Sequence, residues 1–154
     1  MKVAVAFDHR GVKLWERVLA ELGELGHDAV DLGTDAPEPR IDYPDKAREV
    51  GEAILGGDAE RGILVCGSGA GVAVAATKVK GIRAAMAHDT YTAAQCVEHD
   101  DCNVLALGAR VIGPEIASEL VAAFSNAIFS GEERHVRRLA KVDAIERDGI
   151  DAQL

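Results

Sequence analysis

No run of about 18 apolar residues occurs in this chain of 154, so a membrane-spanning helix is excluded on length. The N-terminus enters an apolar, strand-like run at once, without the charged region, apolar stretch and cleavage site of a secretory signal. Cysteine is sparse and odd in number. Cys66, Cys96 and Cys102 form no disulfide framework, and reduced thiols in a cytoplasmic protein are the simplest reading. Positive charge is in deficit: 17 Lys and Arg face 26 Asp and Glu, a formal charge of −9 that argues against nucleic acid as a partner. Internal repeats, low-complexity tracts and Pro/Gly/Ser linkers are missing too, so residues 1–154 read as a single domain.

The apolar fraction of 48% and charged fraction of 28% are those of an ordinary globular protein. Short apolar runs at Val3–Phe7, Ala29–Leu32, Ile63–Cys66, Ile82–Ala87 and Val104–Leu107 predict buried parallel strands. Amphipathic stretches lie between them. Leu14, Val18, Leu22 and Leu25 recur at helical spacing before Gly26, and Pro44 and Pro114 stand where first helical turns begin. The alternation predicts an α/β fold: a three-layer α/β/α sandwich on a five-stranded, mainly parallel, Rossmann-like sheet. Residues 33–40 read as a surface loop. A helix from Pro114 to Ser130 is apolar around most of its circumference, which points either to a subunit interface or to a central helix inside one monomer. The former is favoured, with residues from about 114 to 147 contributing to a dimer interface.

In such sheets ligands bind beyond the carboxyl ends of the strands. Asp8 and His9 follow the first strand, and Cys66-Gly67-Ser68-Gly69-Ala70-Gly71 ends the third. His99-Asp100-Asp101-Cys102-Asn103 precedes the last, and these three segments are expected to converge. The Gly67–Gly71 loop offers free N–H groups to an anion at a helix start. It is not a dinucleotide fingerprint, because Val72 replaces the last glycine, nor a P-loop, because no Lys-Ser/Thr pair follows. A thiol at such a position is a candidate base or nucleophile; a buried structural cysteine is the alternative. Cys96 and Cys102 fit the structural role. His99 is a candidate acid or base. A metal site from His9, His99, Asp101 and Cys102 lacks a close-spaced ligand pair. Arg134 and Arg138, four apart on one helical face, suit a phosphate clamp, or else a solvated basic face paired with Glu132, Glu133 or Asp143.

In order along nearly the whole chain, these motifs resemble the type B ribose-5-phosphate isomerases and their galactose-6-phosphate isomerase relatives. The likeness rests on Val-Ala-Phe-Asp8-His9-Arg-Gly, Asp42-Tyr43-Pro44, Gly-Ile-Leu-Val-Cys66-Gly-Ser-Gly-Ala-Gly71 and Lys78-Val-Lys-Gly-Ile-Arg83. It continues through His99-Asp-Asp-Cys-Asn103-Val-Leu-Ala-Leu-Gly108-Ala-Arg110 and Arg134-His-Val-Arg-Arg138. The resemblance implies an aldose–ketose isomerase of sugar phosphates. Cys66 would move a proton between C1 and C2, and the backbone of Gly67, Gly69, Ala70 and Gly71 would cradle the enediolate oxygens. Ser68 would assist proton movement among them, and His99 would open the furanose ring, with Asp8 and Tyr43 near the sugar. His9, Arg110, Arg134 and Arg138 match phosphate-binding positions. A homodimer or dimer of dimers with sites at the subunit interface is implied, and neither metal nor cofactor.

Two positions depart from that pattern: Thr77 stands where the family usually has Asn, and Asp100 where it has Asn after the catalytic His. An ionised Asp only accepts hydrogen bonds, whereas Asn also donates, so Asp100 is expected to alter sugar preference. Three readings therefore stand: a ribose 5-phosphate isomerase, an isomerase of a tetrose or hexose phosphate, and a non-catalytic α/β module that binds a sugar phosphate or nucleotide.

Overall fold

Strands β1 (Lys2–Phe7), β2 (Asp28–Asp31), β3 (Arg61–Cys66), β4 (Ala84–Met86) and β5 (Val104–Gly108) form one sheet in the order β2-β1-β3-β5-β4. The structure, a computed structural model, describes residues 1–153. Every strand pair is parallel, so the sheet is wholly rather than mainly so. Side chains alternate across it, as the two-residue strand period requires. Val3, Val5, Phe7, Ile63, Val65, Leu105 and Leu107 face one layer, and Ala4, Ala6, Leu64, Cys66, Val104 and Ala106 face the other. Helices α1 (Trp15–Glu24), α4 (Thr90–Asp100) and α5 (Pro114–Asn126) cover the first face; α2 (Tyr43–Leu55) and α3 (Ala70–Ala76) cover the second. The expected α/β/α sandwich is thus the observed architecture. A sixth helix, α6 (Glu133–Asp148), lies outside the layers against α4 and buries only His135 and Ala144.

The predicted β4, Ile82–Ala87, shrinks to three residues at the sheet edge. The helix expected to reach Ser130 stops at Asn126, where Ala127 turns extended. Its apolar circumference is largely spent inside the subunit. Ala117, Leu120, Val121 and Phe124 are fully buried against the first-face layer, leaving Ile116 and Ile128 exposed. Burial of this helix therefore follows from its place beside α1 and α4 and does not itself require a second subunit.

From β1 the chain crosses outward to β2, whereas from β3 it crosses the other way toward β4. The carboxyl ends of β1 and β3 flank the point where the winding reverses, which is where an open α/β sheet leaves a crevice.

Candidate active site

Cys66 is the last residue of β3, and its Sγ accepts the N–H of Gly69 at 3.2 Å. Gly69 makes this possible with φ of 83°, a left-handed conformation that costs an L side chain about 1–2 kcal/mol. A Cβ there would also stand 3.1 Å from the Leu107 backbone and from the Met86 side chain. The sulfur, buried within the sheet's second face, opens at its tip into a pocket of about 300 Å³.

The walls of that pocket come from four places in the sequence. Asp8, directly after β1, accepts the N–H groups of Arg10 and Gly11 on Oδ1, each at 2.8 Å. That turn lies hard on β3: a Cβ on Gly11 would come within 2.1 Å of the Val65 carbonyl oxygen, so only glycine fits. Tyr43 opens α2 and lays its ring where a Gly71 Cβ would be 3.0 to 3.2 Å away. Ser68 is exposed on the loop above Cys66, its Oγ accepting the Ala70 N–H at 3.4 Å. Beyond β5 the chain runs beside the same loop, with Ala109 N–H donating to Cys66 O and Arg110 N–H to Gly67 O. Asp8, Tyr43, Cys66, Gly67, Ser68, Gly71 and Arg110 thus meet in one pocket. His9 lines the neighbouring one with Arg110, its Nδ1 3.2 Å from the Ile41 carbonyl oxygen. Arg10, which sequence reasoning passed over, lines both. Its signal was present as the Arg in Asp8-His9-Arg10-Gly11, three residues from a predicted strand end.

His99, Asp100, Arg134 and Arg138 are elsewhere. A segment that precedes a parallel strand lies at the amino edge of the sheet, not the carboxyl edge, so the expected convergence of all three segments fails within one chain. The two edges stand roughly 15 Å apart across β5 at about 3.3 Å per residue. At the amino edge Arg83 and Asn103 lock the turn after His99. Arg83 Nη2 meets Asp101 Oδ2 at 2.6 Å, Asn103 Oδ1 accepts the Arg83 N–H at 2.9 Å, and Asn103 Nδ2 donates to Gly81 O. His99 stacks on His135, with ring centroids 4.1 Å apart. Asp100 and Arg138 share a groove at the start of β4. Arg134 forms the surface pair expected of a solvated face, 2.8 Å from Glu132, while Arg138 has no ion pair among the described residues.

Burial, reinforced by the positive charge of His99, Arg134 and Arg138, pushes the His135 imidazole below its ordinary value. The hydrogen bond with Cys96, and then burial, push the Cys102 thiol far above its ordinary value, and the same bond holds Cys96 lower. These two thiols meet across the end of α4, where Cys102 N–H donates to Cys96 O, and both are buried structural groups. His9 stands at the carboxyl edge and His99, Asp101 and Cys102 at the amino edge, so these four make no cluster within a chain. Among the described residues no group of three His, Cys, Asp or Glu is placed to hold a metal ion.

The family model described as Ribose/Galactose Isomerase matches residues 3–142. Ribose-5-phosphate isomerase B of Escherichia coli (strain K12) is 42% identical over 146 residues, which cover 95% of this chain and 97% of that protein. D-erythrulose-4-phosphate isomerase of Pectobacterium atrosepticum is 40% identical over 131 residues, 85% of this chain and 86% of that one. The solved structure of Clostridium thermocellum ribose-5-phosphate isomerase B superposes with a TM-score of 0.91 at 41% identity, covering 96% of this chain and 98% of its own. With likeness of this extent in sequence and in fold, the chain belongs to the ribose/galactose isomerase family.

Proposed function

We propose that this protein interconverts D-ribose 5-phosphate and D-ribulose 5-phosphate by proton transfer through a cis-enediolate. One observation carries the reading: a thiol sulfur that already accepts a loop N–H stands at the floor of a pocket whose walls are Asp8, Tyr43, Ser68 and Arg110. Cys66, as thiolate, takes the proton from C2 of the open-chain aldose. The electron pair moves into the C1–C2 bond while the carbonyl oxygen becomes an oxyanion. Backbone N–H groups of the Gly67–Gly71 loop stabilise that charge, as donors fixed in advance do best. Ser68 relays a proton between the two oxygens, and the Cys66 thiol returns its proton to C1, giving the ketose. No atom is gained or lost.

The sugar arrives as a ring, and the phosphate needs cations. His99, Asp100, Arg134 and Arg138 supply these roles from a second copy of the chain, seated so that its amino edge faces this carboxyl edge. Arg110 and His9 meet the phosphate from the first copy. The three free thiols and the sugar-phosphate chemistry fit a cytoplasmic location.

Cys66→Ala is expected to lower kcat roughly a hundred- to ten-thousand-fold, the usual worth of a positioned base, with substrate binding largely kept. Near-normal turnover in that variant overturns the reading, and tight binding of sugar phosphates without any turnover in the wild type favours a binding module. Asp100 supports a second reading, since a carboxylate replaces an amide next to His99 and a relative is named for a four-carbon substrate. Turnover of four-, five- and six-carbon aldose phosphates by wild type and Asp100→Asn decides it. Identical profiles remove Asp100 as a determinant of sugar preference.

A further inference from the structure

Two of the three free thiols lie outside the Cys66 pocket and take no part in the proton transfer. Cys96 stands one turn before the end of α4, and Cys102 follows the turn that leads into β5. Asp101 reverses the chain between them with φ of 48°, and Cys102 N–H donates to Cys96 O at 3.0 Å. That bond holds the two Cα atoms no more than about 7 Å apart, since only short covalent links separate each from the bonded atoms. The side chains close the gap further, because the two thiols share a hydrogen bond. Disulfides span Cα separations of about 4.4–6.8 Å, so bridging this pair needs no large backbone movement.

Cys66 has no such partner in its own chain: it ends β3 at the carboxyl edge of the sheet, whereas the pair lies at the amino edge. Cys96 and Cys102 are 6% and 9% exposed. Cys102 nevertheless lines the groove of about 580 Å³ between α6 and the start of β4, through which a small oxidant reaches the pair. His99 lies midway between the two cysteines in sequence, its ring stacked on His135. One end of this segment is held firmly. Arg83 donates to Asp101 O at 2.9 Å and to Asp101 Oδ2 at 2.6 Å, and Asn103 Nδ2 reaches Gly81 O at 3.0 Å. Contraction of the pair therefore falls on the last turn of α4, which carries His99.

We infer that Cys96 and Cys102 form an oxidation site, at which a peroxide converts the two thiols to an intrachain disulfide that displaces His99. Cys96, the thiol held lower of the two, attacks as thiolate on one peroxide oxygen. The S–O bond forms, the O–O bond breaks, and hydroxide leaves. The Cys102 sulfur then attacks the Cys96 sulfur: the S–S bond forms, the S–O bond breaks, and the second oxygen leaves as water with the Cys102 proton. The hydroxide takes up the proton that Cys96 had released, so two thiols are oxidised and one peroxide is reduced to two waters. Drawing the sulfurs from hydrogen-bond contact to a bond of about 2.05 Å shifts the segment by on the order of 1 Å. In the isomerase reading, on which only the effect on turnover rests, a misplacement of that size at the ring-opening group slows the reaction. A dithiol reductant reverses the linkage.

Brief exposure of the full chain to hydrogen peroxide, followed by alkylation of the remaining thiols and peptide mapping, tests the site. Cys66→Ala is treated beside wild type, so that the pocket thiol cannot contribute. Both proteins should yield a peptide linked through Cys96 and Cys102, and dithiothreitol should abolish it. The ring-proton resonance of His99 should shift as the linkage forms. Oxidation of Cys66 lowers turnover in any protein that keeps it, so Cys96→Ser/Cys102→Ser supplies the baseline. Wild-type turnover of ribose 5-phosphate should fall roughly tenfold or more beyond that baseline, and dithiothreitol should restore the difference. Absence of the linked peptide overturns the site, as does a linkage through Cys66. Equal loss of turnover in wild type and the double-serine variant, or an unshifted His99 resonance in the linked protein, overturns the displacement. If the linkage and the shift appear but the reduced wild type turns over no sugar phosphate, the isomerase reading fails and the oxidation site stands.

Discussion

At Asp8 a single carboxylate oxygen holds two backbone N–H groups and thereby the turn that presents Arg10 to the pocket. Asp8 is 4% exposed, and losing that acceptor leaves the part-buried Arg10 N–H without its partner, while the Gly11 N–H keeps only the Asp8 carbonyl oxygen at 3.0 Å. Asp8→Ala should lower the unfolding free energy by about 1–3 kcal/mol, whereas Asp8→Asn, which keeps an acceptor oxygen, should cost less than about 1 kcal/mol. Urea unfolding separates the two. Both variants should lose turnover, because a neutral side chain then faces the sugar. Equal stability of the two variants would show that the turn does not depend on this oxygen. Gly69 poses the complementary case, where backbone rather than side chain is at issue. Gly69→Ala places a Cβ in the left-handed region against Leu107 and Met86, with an expected loss of about 1–2 kcal/mol. The larger effect should be on kcat, since the strained loop re-aims the N–H that now reaches Cys66 Sγ.

Among the elements, α6 is the most lightly held. It buries His135 and Ala144, while Val136, Val142 and Ile145 remain about half exposed. His135 fastens it: Nδ1 lies 2.6 Å from Ser130 Oγ and the ring stacks on His99 of α4. The groups facing this imidazole are His99 from α4, Arg134 and Arg138 from its own helix, and Glu132 before it; only the carboxylate favours its charged form. With the folded value depressed, stability owed to neutral His135 is fully present above the ordinary imidazole value of about 6.5 and is lost as pH falls through the lower folded value. Amide-exchange protection in residues 133–148, taken relative to intrinsic exchange at each pH, should therefore fall on acidification ahead of the sheet, and His135→Asn should flatten that dependence. The same protection at pH 5 and pH 8 would sink it. The strands β1, β3 and β5 were legible as short continuous apolar runs, because both of their faces are buried, and α1 was legible from the spacing of about 3.6 in Leu14, Val18 and Leu22. The short edge strand β4 was overextended, as an edge has only one partner to define its ends. The Cys66 loop was legible from local sequence alone. The pocket that His9 shares with Arg10, Lys13, Arg40 and Arg110 was not, since these residues come from three separate stretches that only the crossover topology brings together. His99 was recognisable as a motif, yet its edge of the sheet follows from strand direction, which a motif does not carry.

For the molecule as a whole, the separation of Cys66 and His99 onto opposite edges of one sheet sets a condition on activity. No side-chain motion spans five residues of strand, so a site that uses both groups must draw them from two chains. A closed two-fold pair makes this self-complementary: each copy lends its amino edge to the other's carboxyl edge and receives the same in return. Cys66→Ala and His99→Ala homo-oligomers should each be nearly inactive. Unfolded together and refolded as an equimolar mixture, half of the pairs are hybrids, and each hybrid holds one site with both mutations and one with neither. Activity should then return to about a quarter of wild type under random pairing in a two-fold assembly. Mixing without unfolding should restore nothing until subunits exchange. Were the two groups to act within one chain, every site in the mixture would carry exactly one of the two mutations and activity would stay at the level of the parents. Recovery measured against the fraction of hybrids, resolved by a charge tag on one parent, therefore reads out the geometry of the site rather than its chemistry alone.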